Sequence, residues 1–476
     1  MVFSSTVFLF AFLPITLLGY YILPRVLRNL FLFLMSIAFY AYGEPKFVLV
    51  LLLSIGVNYV FGLLVDNFRE KQALTRLFLA LMLLFNFGLL MVYKYLNFIT
   101  ANLQGIWGDS VTVTQIVLPI GISFFTFQAV SYVIDIYRQN GEVQKNPLNV
   151  GLYISFFPQL IAGPIVRYET VAREIKSRTF SFSEVSLGVK RFLMGLGKKV
   201  LLANTMAVVA DYAFNLVDYA AMPIGTAWLG ALAYTFQIFF DFSGYSDMAI
   251  GLGLMFGFHF LENFNYPYIS RSVSEFWRRW HTSLGTWFRD YVYIPLGGSK
   301  VKLPRLILNL LVVWALTGIW HGASWTFLLW GLFYFVLLTF EKLTGFPEKR
   351  KSPAWQILKI LYMPVTLLAV ILGWCLFRAP SLIHASQYVQ TLFGLNSRVL
   401  WDVDTLYYFT EYRFFFGACL LLSTPLVKLA ADFCKKIPVI RHLYKLAVPL
   451  WYLVVFLVCI AELVLGTHNP FIYFNF

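Results

Sequence analysis

Apolar runs of membrane-crossing length follow one another along this chain, and no Gly/Ser-rich or Pro-rich linker separates them. A helix needs about 20 apolar residues to cross the hydrocarbon core of a bilayer. It must also satisfy its own backbone there, since no water reaches it. Segments 2–23, 47–65, 77–96, 117–136, 356–377, 412–428 and 447–465 are candidate spans, and 29–42, 200–216, 227–240, 306–320 and 325–340 are shorter ones. Short spans are tolerated where they tilt, break or stay buried among neighbours. The pattern predicts an all-α polytopic membrane protein, with about 11–13 membrane helices plus re-entrant and amphipathic segments. Only 13% of the residues are charged, whereas soluble domains carry roughly 25%. A string of soluble domains is thereby excluded, and residues 1–476 read as one integral-membrane domain. The run 2–23 lacks a basic leader and a small-residue cleavage site, so it reads as a retained first span.

A net charge of +14 would ordinarily raise the question of nucleic acid. Its distribution answers otherwise. Loops 24–28, 66–76, 137–147, 167–199, 271–305, 342–359 and 428–445 hold 32 of the 37 Lys and Arg; the other five are Lys46, Lys94, Arg378, Arg398 and Arg413. Basic loops gathered on one side mark the cytoplasmic face. They leave both termini outside and call for anionic lipid as partner, not nucleic acid. The cysteines, Cys375, Cys419, Cys434 and Cys459, have no metal-ligand spacing and form no disulfide framework.

Two segments read as broken. Phe157-Pro158-Gln159-Leu160-Ile161-Ala162-Gly163-Pro164 makes a straight span over 148–166 untenable and predicts a re-entrant hairpin. Gly244, Gly251, Gly253 and Gly257 give 241–260 the same appearance.

Ionisable side chains among apolar runs mark candidate chemistry, because each costs a few kcal/mol or more at membrane depth. His321 is the foremost, in Leu316-Thr317-Gly318-Ile319-Trp320-His321-Gly322-Ala323-Ser324-Trp325, flanked by the supporting residues Trp320 and Ser324. Imidazole is also the side chain best suited to proton transfer near neutral pH. The second candidate is His281, in Arg271-Ser272-Val273-Ser274-Glu275-Phe276-Trp277-Arg278-Arg279-Trp280-His281-Thr282-Ser283-Leu284. Apolar residues at 273, 276, 277, 280, 284, 287 and 288 have helical spacing. They predict an amphipathic helix that lies at the interface with tryptophan anchors and arginines near lipid, or that carries a packed histidine. Trp277, Trp280, Arg278, Arg279 and Arg289 belong to this stretch. Upstream, Gln237, Asp241 and Ser243 fall in an apolar region with Asp247. A helix cap and a polar-cavity lining are both open for Asp241 and Ser243. His259, His384, His442 and His468 read as structural or surface residues. No phosphate loop, His-Glu-x-x-His pair or Gly-x-Ser-x-Gly elbow is present.

Trp277-Arg278-Arg279-Trp280-His281-Thr282-Ser283-Leu284, together with Gly318-Ile319-Trp320-His321-Gly322, resembles the membrane-bound O-acyltransferase superfamily. The phrases Met1-Val2-Phe3-Ser4-Ser5, Phe12-Leu13-Pro14, Pro119-Ile120-Gly121-Ile122-Ser123-Phe124-Phe125 and Asn469-Pro470-Phe471-Ile472-Tyr473-Phe474 are similar to its bacterial alginate O-acetyltransferase branch, which includes cell-wall polysaccharide O-acetyltransferases. The resemblance runs nearly end to end. It implies the fold of that superfamily, with a conical, partly buried core, in a bacterial cytoplasmic membrane. It also implies His321 as the catalytic residue and His281 as the second polar member of the site.

The implied reaction moves an acetyl group from a cytoplasmic thioester to a hydroxyl reached from outside, for extracytoplasmic polysaccharide O-acetylation. No cofactor is permanently bound. Acetyl-CoA, or a carrier-protein phosphopantetheine thioester, serves as the donor substrate. The expected partner is an extracytoplasmic acceptor or SGNH-like polysaccharide transferase protein. His321 would be the general base, and His281 would hold the donor or stabilise the oxyanion. Asp241 would support a histidine tautomer, and Arg278, Arg279 and Arg289 would attract donor phosphates or lipid headgroups. The alternatives are a D-alanyl transferase of the teichoic-acid type and a non-enzymatic transporter of acyl groups or glycan precursors. A transporter would show matching halves with paired broken helices, and the two broken segments have no such halves around them.

Overall fold

The computed structural model describes residues 1–476 except 180, 217–218, 220, 348–352, 467–471 and 473–476. The described residues form helices and connecting turns, with no strand among them. Among the described residues, eight helices are long and apolar enough to cross a membrane: Arg25–Gly43, Val48–Asn67, Gln72–Ser110, Phe182–Phe214, Leu303–His321, Trp325–Thr344, Trp355–Arg378 and Ile440–Val464. A ninth span arises if Val403–Leu422 and Leu426–Cys434, bent by 70°, are one crossing, and Phe8–Ile22 and Ile122–Tyr137 are shorter apolar helices. The polytopic all-α expectation is met. The chain packs as two compact units, Met1–Met194 with Tyr245–Leu261, and Gly195–Gly244 with Glu262–Phe476.

In the first unit a nest of phenylalanines forms the centre. Phe157 packs on Phe12 at 5.2 Å and on Phe39 at 5.5 Å between ring centroids. The amides of Asn58 and Asn86 exchange hydrogen bonds of 3.0 and 2.9 Å between two membrane helices, the pairing that buried polar groups need in lipid. Segment 148–166 is indeed not a straight span. One helix, Pro147–Ser155, stops at Phe156, and Pro158 then sits in the first turn of Phe157–Leu160, where its missing N–H costs nothing. His259 is half-exposed, with Nδ1 2.6 Å from Glu174 and Nε2 3.2 Å from Glu184, as a surface residue would be.

Two expectations are overturned. Segment 241–260 is not broken, since the helix Ile224–Met255 runs through its first fifteen residues. Its glycines serve close helix approach. A Cβ on Gly251 would meet the Gly188 carbonyl at 2.6 Å in the first unit, and one on Gly244 would meet that of Gly195 at 2.8 Å in the second. Small residues let membrane helices pack backbone to backbone, so here they bring helices close together and do not interrupt one. The 167–199 segment is likewise no simple loop. It contains the helix Tyr168–Lys176 and the start of Phe182–Phe214.

In the second unit the hairpin Leu303–His321 and Trp325–Thr344 matches the two spans expected at 306–320 and 325–340. It is closed by a glycine contact. A Cβ on Gly331 would meet the Trp314 carbonyl at 2.3 Å and the Gly318 Cα at 3.1 Å. Gly331→Ala must therefore push two backbones apart. It is expected to destabilise the protein by about 1–3 kcal/mol, the usual cost of overpacking. Thermal unfolding of the detergent-solubilised chain reads this directly, and an unchanged midpoint would show that the hairpin opens without cost.

Candidate functional site

The helix Leu303–His321 ends on His321 itself, because Gly322 is extended and the next helix begins after Ser324. The imidazole is therefore held at a helix end, 6% exposed. Aromatic rings surround it, with Trp320 and Trp330 both at 5.0 Å and Phe377 at 5.3 Å between centroids. Ser324 lies at the turn, its hydroxyl 2.7 Å from that of Thr326.

His281 is reached differently. The expected single amphipathic helix over 271–288 is instead two short ones, Val273–Arg279 and Thr282–Phe288. Trp280 is extended between them, and His281 adopts φ 45° and ψ 51°, a left-handed conformation that a side chain with a Cβ rarely takes. Such strained positions recur at functional sites. The break turns the imidazole inward, to 2% exposure. Its ring meets Phe242 edge-on at 4.6 Å and lies 6.1 Å from the ring of Trp320. The two histidines thus share one tryptophan, which an unbroken interfacial helix would not have allowed.

The first of these short helices is fastened by hydrogen bonds at its N-terminal end. Ser272 accepts a hydrogen bond from the Glu275 N–H at 3.0 Å, and Glu275 accepts one from the Arg271 N–H at 2.9 Å. The buried Glu341 accepts from the Val273 and Ser274 N–H groups at 2.7 and 2.8 Å, a carboxylate at the positive end of a helix. Trp277 then packs on Trp314 and Tyr334, both at 4.8 Å, and Trp280 on Trp374 at 4.8 Å. These tryptophans are part of the core, not interfacial anchors.

Asn263 sets the polar side of His281. Its Oδ1 accepts from the Ser283 N–H at 3.1 Å and the Ser283 hydroxyl at 2.9 Å, and lies 3.3 Å from His281 Nδ1. His281 Nε2 is buried with no hydrogen-bond partner among the described residues. Burial pushes the pKa of this ring down to about 3, so it is neutral at physiological pH.

Other expected site residues lie elsewhere. Asp241 neither caps a helix nor orients a histidine. It sits inside Ile224–Met255, with Oδ1 2.6 Å from Lys199 Nζ and Oδ2 accepting the Ile472 N–H at 2.9 Å. Ser243 and Gln237 are buried on the same helix, the Ser243 hydroxyl and Gln237 Oε1 lacking hydrogen-bond partners among the described residues. Arg279 is paired with Glu275 at 2.8 Å, and Arg289 with Asp290 at 2.6 Å. Arg278 and Arg289 are exposed. His384 and His442 bond locally to Ser381 and the Pro438 carbonyl, and His468 lies outside the described residues. All four cysteines are free thiols.

Sequence reasoning missed Asn263 beside His281, Glu341 at the start of the first short helix, and the Trp330 and Phe377 rings around His321. Ser272-Val273-Ser274-Glu275 has the capping-box pattern that marks a helix start at 272. Glu341, an acid in an apolar run, falls under the rule that singled out Asp241. Asn263 has no local signal, since its partner is 18 positions away.

The model of the membrane-bound O-acyltransferase family matches residues 144–383. The chain is 42% identical to a probable alginate O-acetylase, AlgI, of Pseudomonas syringae pv. tomato, over 85% of this chain and 77% of the relative. It is 36% identical to a peptidoglycan O-acetyltransferase of Helicobacter pylori, over 83% and 80%. A teichoic acid D-alanyltransferase of Bacillus subtilis is 30% identical over 56% of this chain and 70% of the relative.

Proposed function

We propose, since this chain belongs to the membrane-bound O-acyltransferase family, that it transfers an acetyl group from a cytoplasmic thioester to a hydroxyl on the outer side, for polysaccharide O-acetylation. The chain is a multi-pass membrane O-acyltransferase. Acetyl as the cargo rests on its greater similarity to the alginate and peptidoglycan relatives than to the D-alanyl one. The observation that carries the site is the shared ring of Trp320, which joins His281 and His321 in one buried, aromatic-walled centre.

In this reading His321 takes the proton of the acceptor hydroxyl as its oxygen attacks the thioester carbonyl. The C–S bond breaks, and the proton passes from His321 to the departing thiolate. The rings of Trp320, Trp330 and Phe377 exclude water that would otherwise hydrolyse the thioester. His281 holds a substrate group beside it. Arg278 and Arg289, exposed near the second short helix, attract donor phosphates. The basic loops face the cytoplasm of a bacterial inner membrane, the termini lie outside, and all of residues 1–476 act as one catalytic domain. An extracytoplasmic acceptor or SGNH-like transferase protein carries the acetyl group onward.

The test offers the purified protein labelled acetyl-CoA or an aminoacyl carrier thioester, separately, with a hydroxyl acceptor. Release of free coenzyme A from the first and no thiol from the second is expected. Consumption of the aminoacyl carrier alone would make it a D-alanyl transferase, and consumption of neither would favour a transporter.

A further inference from the structure

We infer that Asn263 is a positioning residue that locks His281 with its proton on Nδ1, so that a bare Nε2 accepts a hydrogen bond from an O–H or N–H group of a substrate. The inference rests on His281 belonging to the acyl-transfer site proposed above.

The amide of Asn263 can face only one way. The Ser283 backbone N–H, 3.1 Å from Oδ1, is a donor and nothing else. Turning the amide over would set its NH2 against that donor. The Ser283 hydroxyl gives its proton to the same oxygen at 2.9 Å. His281 Nδ1 therefore faces an acceptor at 3.3 Å, and the remaining oxygen within reach, Ser283 Oγ at 3.5 Å, has already committed its proton. A lone pair on Nδ1 would oppose the lone pairs of Oδ1, whereas an N–H there satisfies both groups. A neutral imidazole carries one proton, so Nε2 has none.

The groups that meet the ring supply no charge that would add a second proton. The ring and hydrogen-bond contacts of His281 are made by Phe242, Trp320, Asn263 and Ser283, all uncharged. Burial further favours the neutral form. A buried acceptor nitrogen without a partner is costly in a finished core, and a substrate donor removes that cost. The donor is an acceptor-sugar hydroxyl or an amide N–H of the thioester's pantetheine arm, both of which present the same chemistry. Stabilising an oxyanion would need an N–H at Nε2, so that role for His281 is excluded.

The test uses the full chain in detergent with 15N-labelled histidine, and His281→Gln identifies the ring's signals. Wild type is expected to show one protonated and one bare nitrogen, unchanged between about pH 5 and 8, where an ordinary histidine titrates. Coupling across the bond to Asn263 places the proton on Nδ1. A proton on Nε2, or titration in that range, would overturn the assignment. Asn263→Ala is expected to mix the two tautomers and lower kcat on the order of 100-fold, since a wrong tautomer cannot present its lone pair. A rise in KM for the thioester marks the pantetheine arm as the bound group, and a rise for the hydroxyl acceptor marks the sugar.

Asn263→Asp keeps the acceptor but places a carboxylate against the ring, which favours the imidazolium. Its activity is expected to be lost at low pH and recovered at high pH, a response that a merely structural role would not give. Wild-type spectra and kcat in Asn263→Ala would overturn the positioning role. Should His281→Gln retain full turnover, the proposed site fails instead, and the spectra still decide the tautomer.

Discussion

Replacing His321 with Ala is expected to lower acyl transfer about 10²–10⁴-fold, the range that a positioned general base contributes. The assay follows thioester consumption and ester formation in membranes matched for the amount of folded protein. Matching matters because the imidazole also fills space among Trp320, Trp330 and Phe377. His321→Gln, which keeps a polar group of related size, should preserve folding better and lose activity as severely. Near-normal turnover in both variants would sink the assignment of His321 as base. A fall in activity that tracked protein level alone would make it a packing residue.

The largest expected effect on stability lies at Lys199. Its ammonium sits 2.6 Å from Asp241, with side-chain exposures of 3% and 2%. Desolvating two charges is expensive, and removing one partner leaves the other buried without compensation. Lys199→Met is therefore expected to destabilise the protein by about 3–5 kcal/mol. The double variant Lys199→Met with Asp241→Asn removes both charges and keeps an oxygen for the Ile472 N–H. It should recover most of that loss. Thermal unfolding of the three proteins in one detergent gives the comparison, and additive losses in the double variant would show that the two groups act independently.

Much of the fold was legible in the sequence because lipid leaves a chain few options. Apolar length announces a membrane helix whatever packs against it, so the spans at 306–320 and 325–340 and the break near Pro158 are found where expected. Glycine was the misleading residue. Gly244 and Gly251 look like breakers in one dimension, and only the carbonyls of Gly195 and Gly188 opposite them reveal a close approach of helices. The stretch 271–288 misled for a related reason. Its apolar spacing is helical on either side of Trp280, yet tertiary packing of Trp277 and Trp280 and the capping by Glu341 override continuity at His281.

The sequence by itself determined that this is a helical membrane protein with an ionisable residue at the end of an apolar run, and its motifs named His321 and His281 as the pair to watch. Those conclusions rest on transfer costs, which are properties of single residues and short windows. The tertiary structure decided which groups meet. It gave Asp241 to Lys199 instead of a histidine, gave His281 to Asn263, and set both imidazoles against Trp320. Hydrogen bonds and ring contacts act over a few ångströms between positions far apart in the chain, so no local pattern records them.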